Sequence, residues 1–154
     1  MTDPQNPNRG MPSDSQATLM TLRIIWAALL IGQIVFFLVI AFVLWPHGRR
    51  TMDERTLKLL FYVGGVMLLT MIPIGFVLRS TMFRKGLDER GNVRPAAYTT
   101  GNIVLWAMCE GASFFGLVGA MLNNGPWPHL IVTIIAVAVQ VVTFPTGGQM
   151  RQAL

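Results

Sequence analysis

Residues 103–122 read IVLWAMCEGASFFGLVGAML, an apolar stretch broken by one carboxylate, Glu110. At about 1.5 Å per residue, a helix of this length is about 30 Å long, which matches the hydrocarbon core of a bilayer. The stretch therefore reads as a membrane span. Three further apolar runs lie at 24–45, 59–78 and 130–144. The first closes on Trp45 and Pro46, an aromatic suited to headgroup level followed by a helix breaker. The fourth is short and must borrow 127–129 or 146–148 to cross, so a three-span chain with a re-entrant end is the alternative. The fold expected is all-α: an antiparallel four-transmembrane-helix bundle, with spans near 22–45, 57–80, 98–122 and 128–146.

Composition agrees. The chain of 154 residues is 53% hydrophobic and 12% charged, whereas a soluble domain carries about 25% charged residues. The length suits one domain. Residues 1–18, with Pro4, Pro7 and Pro12 among polar side chains, have too little apolar surface to fold and read as a disordered tail. They do not form a signal peptide, because the apolar run begins late and is too long for a cleaved one. The transmembrane domain covers 19–148, and 149–154 form a short tail. Thr51 and Glu54 have capping-box spacing ahead of the second span. Pro95 suits the start of the third helix, and Pro73 with Gly75 should kink the second.

The net charge of +5 comes from Arg and Lys placed between the apolar runs. It therefore points to topology and anionic lipid rather than to nucleic acid. With four spans, the two ends and the second loop share a side holding eight basic residues against four on the other. The positive-inside rule then places both termini and the second loop in the cytoplasm, at a bacterial inner membrane. The cluster Arg84, Lys85, Arg90 and Arg94, with Asp88 and Glu89, reads as a solvated loop at the anionic leaflet.

Six of the seven acidic residues lie outside the spans; Glu110 alone lies within one. An ionised carboxylate at mid-bilayer costs roughly 2.5–3.5 kcal/mol. Holding a carboxyl with an ordinary pKa of about 4.3 protonated at pH 7 costs about 3.7 kcal/mol. These are comparable, so Glu110 is either paired or a group that loads and releases a proton. Counted from the cytoplasmic end of each run, Glu110 lies about 10 Å deep, Gln33 about 13 Å, Thr70 about 12 Å and Gln140 about 6 Å. The expectation is one inward-facing polar layer of Gln33, Thr70, Glu110 and Gln140, with Ser113 one turn from Glu110 as a further hydrogen-bond partner and Trp106 covering it. The alternative is that these side chains tie neighbouring helices together locally. Ala112, Gly116 and Ala120 recur every fourth residue and form a flat stripe for close helix contact.

Glu110 followed by Phe115-Gly116-Leu117-Val118-Gly119-Ala120 resembles the ion-carrying helix of rotary ATPase proteolipids, the rotor-ring subunits. The resemblance implies that Glu110 carries a proton or sodium ion. Those proteins, however, place the carboxylate on the second helix of a hairpin or on the fourth span, and their first helix is Gly-rich where this one has only Gly32. In size and span count the whole chain is similar to small four-span bacterial membrane proteins.

His47 and His129, lacking a carboxylate or thiol partner, make a poor metal site. Cys109 reads as a small packing residue. No phosphate loop, nucleophile elbow, HExxH or CxxC occurs, so neither catalytic residues nor a cofactor are expected. Two readings result. One is a binding or structural subunit that assembles with itself or with a larger membrane complex through Ala112, Gly116 and Ala120. The other is a proton- or ion-linked component with Glu110 as the titrating carrier.

Overall fold

The computed structural model describes residues 13–46 and 52–150. Among them are four helices: α1 (Ser13–Val39), α2 (Glu54–Lys85), α3 (Pro95–Leu122) and α4 (Leu130–Val142). α1 passes into a π turn, Ile40–Leu44, closed by the Trp45 amide donating to the Ile40 carbonyl at 3.0 Å. The three long helices are each long and apolar enough to cross a membrane. The 13 residues of α4 are not, since they extend about 20 Å.

α1 begins earlier than expected. Ser13 to Thr18 are helical rather than a disordered tail, because Ser15, Leu19 and Leu22 fall on one face and are buried. Leu19 and Leu22 join Val93, Tyr98, Trp106 and Met150 in one apolar cluster. Residues 1–12 lie outside the described residues, as do Thr51 and His47. The N-cap of α2 is Asp53, whose carboxylate accepts from the Thr56 amide at 3.2 Å and the Thr56 hydroxyl at 2.6 Å. Glu54, the expected box partner, instead pairs with Lys58 one turn on, at 2.8 Å. α2 continues without interruption through Pro73.

α3 is the hub. Gly64 of α2 lies against Phe115 and Gly75 against Leu105 and Met108, so α2 runs antiparallel to α3. The Thr133 hydroxyl of α4 donates to the Ser113 carbonyl at 2.9 Å, and His129 lies against Gly119, so α4 is also antiparallel to it. α1 runs parallel to α3. Leu22 clusters with Trp106, Phe36 meets Phe114 at 5.4 Å between ring centres, and the Trp45 indole donates to the Ala120 carbonyl at 3.2 Å. The order is therefore up-down-up-down.

Past α4 the chain continues along α3 in extended form. Thr143, Pro145 and Gly147 are buried while Phe144 and Thr146 are exposed, the period of two of an extended segment. Its polar backbone is tied to side chains. The Pro145 carbonyl accepts from Arg23 Nε at 3.4 Å, and the Gly147 amide donates to the Tyr98 hydroxyl at 3.1 Å. The Gln149 carbonyl accepts from the Val93 amide at 3.2 Å, and Met150 is buried in the core, so 149–150 are held against the bundle rather than forming a free tail. Residues 151–154 lie outside the described residues.

The loop between α2 and α3 is solvated as expected, with Arg84, Lys85, Glu89, Arg90 and Arg94 exposed, and it is closed as a tight hairpin. Leu87 pairs with Val93, and Asp88 Oδ1 accepts from the Arg90 and Asn92 amides at 2.9 and 2.8 Å. Gly91 takes φ +79° at its tip, where a side chain would be strained. The two amide donors hold the Asp88 carboxyl below the usual carboxylate range.

Candidate functional site

The expected polar layer resolves into separate pieces. Gln33 and Gln140 do meet. Both are buried, and Gln33 Nε2 donates to Gln140 Oε1 at 2.7 Å, joining α1 to α4. The Gln140 carbonyl also accepts from the Trp26 indole at 2.8 Å. Gln33 Oε1 and Gln140 Nε2 keep no partner among the described residues. Thr70 is not part of this layer. It is exposed on α2, and its hydroxyl donates back to the Val66 carbonyl at 2.8 Å, as Thr on an outward helix face does. Ser113 is fully buried, but its hydroxyl has no partner among the described residues, so it does not bond the Glu110 carboxyl. Trp106 is fully buried between α1 and α4, with its indole donating to the Thr143 hydroxyl at 3.2 Å.

Glu110 is half-buried, and its carboxyl has no hydrogen-bond or ion-pair partner among the described residues. Its surroundings follow from helix geometry. At about 100° per residue, Ala112 and Gly116 point toward α4, Met108 and Phe115 toward α2, and Trp106 and Phe114 toward α1. The fourth side of α3 is open. Thr100, Ala107, Gly111 and Val118 are exposed along it, the last three within about 40° of one another on the helical wheel. A Cβ built on Gly111 would meet nothing within 4 Å. Glu110 lies about 60–100° from this strip, between Trp106 and Phe114 on the wheel, on the side of α3 that faces α1.

The Ala112, Gly116 and Ala120 stripe faces the other way and is consumed within the chain. Ala112 and Ala120 are buried, and a Cβ at Gly116 would fall 2.6 Å from Thr133 Oγ1 and 3.0 Å from the His129 carbonyl. The stripe lets α4 approach α3, and so is not free to bind a second chain. On α3 the small residues that face open space are Ala107 and Gly111, as Gly32 does on α1 and Gly65 on α2.

Two features escaped the sequence reading. One is the set of indole bonds from Trp26, Trp45 and Trp106 that stitch neighbouring segments together. The signal was present, because a tryptophan in an apolar run carries an N–H that needs an acceptor. The other is His129, which is 3% exposed, lies edge-on to Phe61 at 6.0 Å and has Nε2 3.0 Å from the Leu57 carbonyl. That contact makes Nε2 the donor and leaves Nδ1 without a partner among the described residues. A shallow cleft lined by Leu57, Phe61, Tyr62, Asn123, Trp127 and His129 lies beside it. Cys109 is fully buried. Compared with protein-family models, with curated proteins and with solved structures, the chain has no match.

Proposed function

We propose that this chain is a multi-pass membrane protein of structural or binding type, built to hold a partner helix against the open side of α3 in a bacterial inner membrane. On this reading all four segments cross, as an antiparallel bundle, with both termini and the α2–α3 hairpin in the cytoplasm. The observation that carries it is the open side of α3, where Ala107 and Gly111 are exposed and a Cβ on Gly111 would meet nothing within 4 Å. A flat strip of small residues is what lets another helix come close.

The ion-carrier reading has less support. A carrier needs ligands around its carboxylate, and the residues expected to supply them are engaged elsewhere: Gln33 with Gln140, and Thr70 with its own helix. The proteolipid resemblance rests on residues 115–120, of which Gly116, Leu117, Gly119 and Ala120 are buried within this chain.

The test is site-specific photo-crosslinking in native membranes, with the photoreactive residue at Gly111 and, as a control, at Val142, which is 84% exposed. The expected result is a discrete protein adduct from position 111 and lipid adducts alone from position 142. Lipid adducts alone from both positions would overturn the proposal.

A further inference from the structure

The apolar runs 24–45, 59–78, 103–122 and 130–144 end together at one level of the bundle. Arg23 stands immediately before the first, Arg79 immediately after the second, Asn102 immediately before the third and Pro145 immediately after the fourth. Contacts bring these residues side by side. A Cβ on Gly101 would lie 3.4 Å from Arg79 Cγ, and Arg23 Nε donates to the Pro145 carbonyl at 3.4 Å. Thr143 and Gly147, on either side of Pro145, bond Trp106 and Tyr98, on either side of Gly101. With the runs in a bilayer, this is the level of the lipid headgroups, where arginines at helix ends reach for phosphate. We propose that Arg79 is a binding site for the phosphate of an anionic phospholipid. The proposal rests on the reading that the apolar helices lie in a bilayer, and it is independent of the helix partner of α3.

Arg79 differs from the other basic residues in how it is held. Arg84, Lys85, Arg90 and Arg94 are exposed, where water screens their charge. Arg79 is half-buried, and its guanidinium carbon stands 5.0 Å from the centre of the Phe83 ring. Phe83 in turn stacks on Tyr98 at 5.4 Å, with the ring planes 15° apart, and Tyr98 is 2% exposed. Gly101 leaves the room for this stack, since a Cβ there would fall 2.8 Å from Phe83. The guanidinium therefore rests on a rigid base, and its planar fork is oriented before any ligand arrives. Its donors are unspent. Nε is sealed from solvent without an acceptor, and no carboxylate pairs with the guanidinium among the described residues. Arg23, by contrast, has already given its Nε to Pro145 and lies over Phe144 at 5.5 Å, where it anchors the extended segment.

A half-buried cation with no partner is neutralised by an anion brought to it, and a guanidinium fork takes two phosphate oxygens at once. Two observations favour a lipid as the source of that phosphate. Phe76 and Leu69 lie on the same flank of α2, about 60° and 80° round the helix from Arg79, and both are exposed. They give an acyl chain an apolar wall below the phosphate. Arg84 and Lys85, one to two turns on, add positive potential that favours an anionic headgroup and repels the ammonium of a zwitterionic one.

The test is native mass spectrometry of the full chain in a non-ionic detergent, titrated with phosphatidylglycerol or with phosphatidylcholine. The first phosphatidylglycerol is expected to bind about tenfold more tightly than the first phosphatidylcholine, the scale of one charge-assisted hydrogen-bonded pair. Arg79→Gln should remove that difference. Arg79→Lys, which keeps the charge and loses the fork, should recover only part of it. Phe83→Leu, which leaves every charge in place and removes the base of the stack, should weaken phosphatidylglycerol several-fold. Lys85→Gln removes the same charge from an exposed position and should cost less than about twofold.

Equal losses from Arg79→Gln and Lys85→Gln would mean diffuse surface charge and overturn the site. If Arg79→Gln does not fold, Arg79→Lys carries the comparison, and wild-type affinity in that variant would overturn the site. Displacement of the lipid by millimolar inorganic phosphate would keep the phosphate site and replace the lipid with a soluble phosphate. A chain recovered in the aqueous fraction of the cell would overturn the bilayer reading, and the lipid site with it.

Discussion

Two amide side chains show how a polar contact in this protein differs from one at a surface. Gln33 and Gln140 are 2% and 0% exposed and share one hydrogen bond. Removing Gln33 leaves the Gln140 amide buried with nothing to bond, and removing Gln140 leaves Gln33 Nε2 only a 3.5 Å contact with the Leu29 carbonyl, a loss of about 1–3 kcal/mol. Removing both exchanges a polar pair for an apolar one of similar shape. We therefore expect Gln140→Leu to destabilise the chain by about 1–3 kcal/mol, and Gln33→Leu combined with Gln140→Leu to recover most of that loss. Unfolding in mixed micelles of mild and denaturing detergent reads both. Additive losses would mean that the two residues act independently. Sequence spacing put these two residues in the same half of the bilayer, but depth is one coordinate of three. Which way a side chain points around its helix depends on which neighbour lies there. Thr70 and Ser113 have plausible depths and the wrong azimuth, because the sequence alone did not say that α4 lies opposite the open side of α3.

Among the elements, the α2–α3 hairpin was the one most underestimated. Its run of basic and acidic residues reads as solvated, but the alternation that matters is Leu87 and Val93 on one side of a turn with Asp88 and Gly91 inside it. The Asp88 carboxylate gathers two backbone amides, and its pKa is lowered by them. A carboxyl whose folded pKa lies below its unfolded value, about 3.9, stabilises the fold above that value. The contribution fades as pH falls through the folded pKa. The hairpin amides of Arg90 and Asn92 should thus lose protection, relative to their intrinsic exchange rates, below about pH 3.9, while amides in the middle of α3 keep theirs. Hydrogen exchange across that range checks it, and Asp88→Asn should flatten the dependence. By contrast, the starts of α2 and α3 were close to legible, since Asp53 and Pro95 are standard helix-starting residues. The start of α1 was not. The composition of 1–18 is polar throughout, and only the burial of Ser15, Leu19 and Leu22 on one face shows that the helix reaches back to Ser13.

For the whole molecule, four helical segments were plain from hydropathy, because apolar runs of about 20 residues have few other uses. Their arrangement around α3 was not, because it depends on where glycine permits close approach. Gly64, Gly75 and Gly116 decide that, and each is ordinary in a membrane helix. At the site, Glu110 stands out in the sequence as the one carboxylate within an apolar run, while its lack of a partner among the described residues is a property of the packed chain. The extended stretch after α4 has a consequence for biosynthesis. Thirteen helical residues fall short of what insertion machinery accepts as a span by itself. The following residues reach their hydrogen-bond partners only on Arg23, Tyr98 and Val93, on segments made earlier. The fourth segment therefore has to wait for α1 and α3 to be in the bilayer before it can settle. Glycosylation mapping gives the readout: 123–150 placed behind an unrelated leader span should fail to insert, and the same residues following α1 to α3 should insert fully. Independent insertion would mean that α4 needs no earlier segment as its template.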